Sequence, residues 1–359
     1  FRHKIFACIN VVGLAIGMCV GLFVSAMIND LLPYDQFHSR KQNIYRLISK
    51  VQIASYQPRV MATTAMPLAQ RLKEDFPGIK EVVRLNRYFG GAAKANDKVL
   101  TATGHFADAN FFEVFSFSLL EGNPEEALNE PFSIVLTEET AHRFFGNKNP
   151  IGKQIEINNY GIFRISGIMA DVPVNSHLQF EMLASFSSIP ALERQGKMHP
   201  TLGDWSDLYS NYAYLLIEEN QEPADLQPAI NQYAQTEYQR YEDLNVNFEL
   251  QSLTGIIPGR DLSNQIGPKM PYLPLIIFSL VALMILLSSC FNYTNLSIAR
   301  SLGRAKEIGI RKTIGAERRQ IMIQFLTEAV FIAFLALGLG LLLFEVFKPG
   351  FFAIIPRSE

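Results

Sequence analysis

Residues 5–29 read IFACINVVGLAIGMCVGLFVSAMIN, about 25 consecutive positions without a charged side chain. An α-helix rises about 1.5 Å per residue, so roughly 20 apolar residues cross a hydrocarbon core and this run suffices. It is too long for the core of a signal peptide, and no small-residue cleavage site followed by a polar start comes after it. A second uncharged run covers 270–299, densest over 273–288. A third covers 329–344, lengthened by Phe325, Leu326 and Phe347, with Glu328 near its boundary. Composition agrees with three crossings: 18% of the 359 residues are charged, the net charge is −2 and mean hydropathy is +0.11. So few charges of balanced sign argue against a disordered chain or a nucleic-acid coat. This is a membrane protein.

Orientation follows from the loop between the second and third spans. It carries Arg300, Arg304, Lys306, Arg311, Lys312, Arg318 and Arg319 against Glu307 and Glu317. Short loops rich in Lys and Arg stay in the cytoplasm, and Arg2 and Lys4 ahead of span 1 agree. Arg40, Lys41 and Arg46 lie beyond the other end of span 1, but long domains translocate largely regardless of charge. The N-terminus is therefore inside and the stretch between spans 1 and 2 outside. The chain divides into span 1 (5–29), an outer domain (30–270), span 2 (271–298), a cytoplasmic loop (299–322), span 3 (323–347) and the start of an outer loop (348–359).

Span 1 carries Gly13, Gly17 and Gly21 at four-residue spacing. Small residues so placed let another helix backbone approach closely, which predicts a helix-packing face within a bundle or across a dimer. Asn10, Asn292 and Asn295 sit near the cytoplasmic ends as interhelical glue or caps. No span has an ionisable group at mid-depth, which argues against a proton- or ion-coupled carrier. Cys8, Cys19 and Cys290 fall inside apolar runs, as small hydrophobes, and belong to neither a disulfide framework nor a thiolate metal site.

The outer domain alternates strand-like and helix-like stretches. Leu47, Ser49, Val51 and Ile53 keep period two. Thr63 or Thr64 is placed to cap a helix with Ala65, Ala69, Leu72 and Phe76 on one side, stopped by Pro77-Gly78. Residues 82–88 read as a strand, and 132–136 as a strand running into a helix that Thr137 caps and Gly146 ends. Strands 151–157 and 161–169 meet at Asn158-Asn159, a hairpin signal. A helix from Pro223 to about 241 and a strand over 246–250 close the domain. The fold class is thus α-helical transmembrane spans with a large α+β extracytoplasmic domain, of two subdomains, inserted between spans 1 and 2.

Catalytic patterns are missing. His3, His38, His105, His142, His177 and His199 are scattered without metal-ligand spacing, and the carboxylates are equally dispersed, leaving only a site assembled in space. Gly146-Asn147-Lys148-Asn149-Pro150-Ile151-Gly152-Lys153 looks at first like a phosphate loop. Five residues separate its glycines where a Walker A loop has four, and Gln154 stands where Ser or Thr should bind magnesium. No nucleotide site, metal or cofactor is expected.

The order of span, large outer domain, span, basic loop and span resembles MacB/FtsX-type ABC transporter permeases. Several segments carry the likeness: Phe6, Ile9 and Asn10 with Gly13-Leu14-Ala15; Tyr34-Asp35-Gln36-Phe37-His38; and Ala107-Asp108-Ala109-Asn110-Phe111-Phe112. So do Phe144-Phe145-Gly146, Asn149-Pro150-Ile151-Gly152-Lys153, Ile165-Ser166-Gly167-Ile168 and Asp171-Val172-Pro173-Val174-Asn175-Ser176-His177. The most specific stretch is Asn295-Leu296-Ser297-Ile298-Ala299-Arg300-Ser301, then Arg304 through Lys312, then Gly315-Ala316. The Asn-Ser-His element looks most like permeases of Bacteroidetes-type bacteria. Members normally have four spans per unit, and many of this subtype eight. A chain that starts at Phe1 and stops at Glu359 after span 3 is therefore expected to be a fragment. Leu31-Leu32-Pro33 replaces the more polar lead-in usual before Tyr34.

The resemblance implies a multi-pass protein of the bacterial inner membrane, with its large domain in the periplasm and ATP hydrolysis on a separate cytoplasmic ATPase subunit. Arg304, Lys306, Glu307, Gly309, Arg311, Lys312, Gly315 and Ala316 would couple to that ATPase. On their own chemistry, Glu307 and Arg311 support a helix at i, i+4 by about 0.3 kcal/mol. A patch that only fixes topology and touches anionic lipid needs charge, but not the interleaved Ile308, Gly309 and Ile310. Other implied partners are a second permease half or homodimer partner, membrane lipid and, in an export system, a periplasmic adaptor; nucleic acid is not one. The implied function is mechanotransmission that drives efflux or extrusion of peptides, toxic compounds or lipoproteins. The alternative is an FtsX-like signal transmitter acting on a periplasmic partner such as a cell-wall hydrolase. A membrane-anchored sensor would need a cytoplasmic output module, and an enzyme would need a catalytic cluster.

Overall fold

A computed structural model describes residues 2–54, 56–303, 305–315 and 317–354. The chain forms two units, one of membrane-length helices and one of Pro33–Met270. Helix α1 (Arg2–Leu31) comes first. In the strand-rich unit β1 (Ile44–Ile53) pairs with β2 (Arg59–Met61), and α2 (Met66–Asp75) follows. Strands β3 (Ile79–Ala95) and β4 (Lys98–Ala107) form a long hairpin. Next come α3 (Phe111–Val114), β5 (Leu119–Glu121), β6 (Ser133–Thr137) and α4 (Glu138–Phe145). Strands β7 (Gln154–Ile157) and β8 (Gly161–Met169) pair across the Asn158-Asn159 turn. The unit closes with β9 (Met182–Ser185), α5 (Ile189–Arg194), β10 (Asn211–Ile217), α6 (Pro223–Tyr238) and β11 (Leu244–Ser252).

Among the described residues eleven strands make a single sheet, in the order β11-β1-β10-β3-β4-β9-β6-β8-β5, with β2 beside β1 and β7 bridging β3 and β8. Neighbours are antiparallel except for β4 with β9 and β6 with β8. This one sheet carries two separate cores. Leu47, Leu68, Leu72, Leu215, Ile230 and Phe248 belong to one, with α2 and α6 supplying its helical wall. Phe106, Ile134, Phe144, Phe163, Met182 and Leu192 belong to the other, with α4 and α5. Strand β3 serves both: Ile79 and Val82 lie in the first core, Phe89 and Ala93 in the second, and its register against β4 shifts between Asn86 and Phe89.

Helix α4 starts as its sequence predicts, with Thr137 Oγ1 accepting the Thr140 N–H at 3.3 Å. Helix α2 does not. Ala65 holds its N-cap position without a side-chain bond, and neither Thr63 nor Thr64 caps it. Pro67 opens the helix and removes one N–H that would need a partner. Thr63 is thereby released to donate its hydroxyl to the Leu208 carbonyl at 2.6 Å inside the domain.

In the other unit α7 (Tyr272–Gly303), α8 (Ala305–Thr313) and α9 (Arg318–Ile354) follow. Among the described residues α1, α7 and α9 are long and apolar enough to cross a membrane. Helix α1 packs against both α7 and α9. Gly340 lets α9 approach α1, since a Cβ there would stand 3.0 Å from the Ala15 carbonyl. Helix α9 outruns the 323–347 expected from sequence: positions 348–354, assigned to an outer loop, are helical despite Pro349. Phe351 holds these turns against α1, its ring centroid 4.5 Å from that of Phe23. The rest of that loop, 355–359, lies outside the described residues.

Candidate functional site

Helix α8 stands alone between two membrane-length helices. Thr313 Oγ1 donates to the Ile310 carbonyl at 2.7 Å near its end, and Gly315 then turns the chain with φ +99°, a region that favours glycine. Gly309, Arg311 and Lys312 are exposed, and nothing would crowd a Cβ on Gly309. Arg311 Nη1 donates to Gln324 Oε1 of α9 at 3.0 Å. Ile310 is exposed and Ile314 is 80% exposed, so within this unit an apolar strip accompanies the charges. Lys306 and Glu307 belong to the helix, their side chains outside the described atoms; Arg304 and Ala316 lie outside the described residues.

The three glycines of α1 have different surroundings. A Cβ on Gly17 would stand 3.1 Å from Ser289 Oγ and 3.4 Å from Leu286 Cα of α7. The Gly13 carbonyl accepts from Ser289 Oγ at 3.0 Å. Gly21 has open space beside it and lines, with Val24, Ser25, Ile28, Ser279 and Leu283, a cleft of about 470 Å³ between α1 and α7.

A second assembly in the strand-rich unit escaped the spacing arguments. Asp35, His38, Arg46, His177 and Tyr214 are each exposed by 1% or less. The Asp35 N–H donates to the Asn175 carbonyl at 2.9 Å. Asp35 Oδ1 accepts from Ser176 Oγ and from the His177 N–H, both at 3.1 Å, and Oδ2 stands 2.9 Å from His177 Nδ1. His177 Nε2 is 2.9 Å from the Tyr214 hydroxyl. Tyr214 on β10 and Gln251 on β11 are both register partners of Arg46 on β1, whose Nη2 donates to Gln251 Oε1 at 2.7 Å. His38 Nδ1 accepts the Ser116 N–H at 3.2 Å, which puts the ring proton on Nε2, 3.8 Å from Asp35 Oδ1. Phenylalanines wall the group off: the Phe115 ring meets Tyr214 at 5.1 Å, and Phe117 meets His38 at 5.3 Å.

Burial alone would raise the Asp35 carboxyl. The electrostatic pull and hydrogen bonds of the His177 ring and amide, helped by His38, override it and hold the group well below the usual carboxylate range. Burial pushes the His177 ring down, against the pull of Asp35. Burial likewise raises the Tyr214 phenol. These directions describe an Asp35 carboxylate, a neutral His177 with its proton on Nδ1, and a Tyr214 O–H donating to Nε2, with Arg46 as the buried counter-charge. A group this deeply enclosed organises its own surroundings and does not turn over a soluble substrate. Among the described residues no cluster of three His, Cys, Asp or Glu is placed to hold a metal ion.

The assembly joins two of the segments that carry the family likeness, 34–38 and 175–177, about 140 positions apart, so no local spacing could have revealed it. A third such segment is fastened to β3. Asp108 accepts the Arg84 guanidinium through Nε and Nη2, each at 2.9 Å, and Asn110 Nδ2 donates to Glu81 Oε2 at 2.7 Å.

Comparison with known proteins agrees with this layout. Residues 7–233 match the MacB-like periplasmic core domain, and residues 279–355 match the FtsX-like permease C-terminal region. An uncharacterised ABC transporter permease of Bacillus subtilis, YvrN, is 22% identical over 99% of this chain and 88% of its own length. The macrolide export ATP-binding/permease protein MacB of Bdellovibrio bacteriovorus is 24% identical over 60% of this chain, and the match covers 32% of that protein. A crystallised domain, from a Porphyromonas gingivalis protein described as a permease, superposes with a TM-score of 0.52 at 18% identity, covering 67% of this chain and 98% of that domain, and so shares the fold. With the two family regions in this order around three membrane-length helices, the chain belongs to the MacB- and FtsX-like ABC transporter permeases.

Proposed function

We propose that this chain is a membrane subunit of the bacterial inner membrane that transmits the stroke of a separate cytoplasmic ATPase to its outer domain by movement of its helices. The observation that carries this reading is α8, a short helix with exposed Ile310, Arg311 and Lys312 held between two membrane-length helices. A folded helix offering both charge and apolar surface suits protein docking better than a lipid-facing patch does. Coupling needs a two-state element biased by the partner, and α8, with α7 and α9 continuing from its ends, is the candidate. The wide apolar exposure of α7 and α9 leaves room for lipid and for a second permease half or homodimer partner. The work done outside would be efflux or extrusion of peptides, toxic compounds or lipoproteins, with a periplasmic adaptor where an outer channel is used.

The test replaces Arg311 and Lys312 by Glu in the full chain. Loss of ATPase co-purification, with the outer domain still folded by circular dichroism, is the expected result; undiminished co-purification would refute docking at α8. The match of 279–355 to the FtsX-like region supports a second reading, a signal transmitter acting on a cell-wall hydrolase. Recovery of a hydrolase on the outer domain would favour it.

A further inference from the structure

The strand-rich unit has one incoming segment, from Pro33, and one outgoing segment, ending at Met270. The first is bonded to a short loop at 175–177, and the second lies against that same loop. On the incoming side, Asn175 Nδ2 donates to the Pro33 carbonyl at 2.9 Å, and Asp35 holds the loop through its own N–H and both carboxylate oxygens. On the outgoing side, Gly267 takes φ +66° and lies so close that a Cβ there would collide with the His177 carbonyl oxygen. Just ahead of it, the Asn264 carbonyl accepts from Tyr212 at 2.7 Å, and Asn264 Nδ2 donates to Thr63 Oγ1 at 3.2 Å. His177 therefore faces Asp35 with its ring and amide, Tyr214 of the central sheet with its far nitrogen, and Gly267 with its carbonyl.

We propose that His177 is a positioning residue, the centre of a clasp that ties the incoming and outgoing segments of the outer domain to each other and to the sheet, so that they move as one body. Its use, delivering helix movement to the whole sheet at once, rests on the proposed transmission of an ATPase stroke; its existence does not. Three hydrogen-bonding or ionic contacts from the loop to one buried side chain, Asp35, and a backbone approach that only glycine permits, exceed what a passive loop needs.

The experiment is hydrogen exchange on the full chain in detergent micelles, following peptides that cover 33–43 and 260–270, with β6 and β8 as internal reference. Asp35→Asn loosens the clasp from the incoming side and Gly267→Ala from the outgoing side. Each variant is expected to speed exchange roughly ten-fold in both segments while the reference strands keep their protection. Faster exchange confined to the substituted side overturns the proposal. Should either variant open the reference strands as well, Ser176→Ala decides by the same criterion, because it removes only the two hydrogen bonds of one hydroxyl, to Asp35 Oδ1 and from the Leu178 N–H, and leaves the Asp35 carboxylate and Gly267 in place. No ATPase enters the measurement, so failure of docking at α8 and failure of the clasp are separate results.

Discussion

His177 Nε2 meets the Tyr214 hydroxyl at 2.9 Å in a site where neither residue reaches solvent. The bond ends a chain that begins at a carboxylate and runs through a neutral imidazole, and its worth lies in what its loss would leave behind. Tyr214→Phe keeps the ring on Phe115 but strands a buried ring nitrogen. We expect it to cost about 1–3 kcal/mol, read from urea unfolding of the full chain in detergent. A cost indistinguishable from zero would mean the hydroxyl is not the histidine's partner.

Acid should weaken the outer domain through its buried histidines. Burial pushes His105 down from 6.5 to about 4, overcoming a hydrogen bond to Asn86 that favours the charged ring. The unfolded chain binds this proton more readily, so the stability is present above the unfolded value and is lost as pH falls through the window from 6.5 to about 4. A shift of that size is on the order of 3 kcal/mol. His177, depressed in the same direction, adds to the slope. Melting temperatures measured across this window should fall steeply in the parent and less steeply in His105→Gln; parallel curves would contradict the assignment.

Thr137→Ala removes the side-chain cap of α4. The expected loss is about 1 kcal/mol, visible as a lower urea midpoint at an unchanged slope.

On α1, Gly17→Leu should part the helix from α7, because the new side chain would press on Ser289 and the Leu286 backbone. Gly21→Leu points into the cleft and should be tolerated far better. Thermal aggregation midpoints of the two variants in one detergent compare them directly, and equal sensitivity at the two positions would argue against close packing at Gly17.

The parts of the fold legible in sequence are those governed by local rules. Long apolar runs mark α1, α7 and α9; the Thr137 cap, the Asn158-Asn159 hairpin and the period-two stretch at β1 mark elements whose neighbours are close in the chain. Helix α2 departs from expectation at its cap because Thr63 serves a residue about 145 positions away. The same limit hides the buried assembly: Asp35, Arg46, His177 and Tyr214 are each unremarkable in their own windows, and only sheet order β11-β1-β10 brings the last pieces together. The basic character of 300–319 is plain from composition, whereas its shaping into a separate helix depends on where α7 stops.

Strand β3, 17 residues long, is a keel common to both cores. A fragment ending anywhere along it would strip one half of its central backbone partner and expose open hydrogen-bonding edges on the other, inviting aggregation in place of independent folding. Dissection of the outer domain should therefore take 33–270 as an indivisible piece, and a lesion on either side of the bulge at Asn86 should be felt in the opposite core.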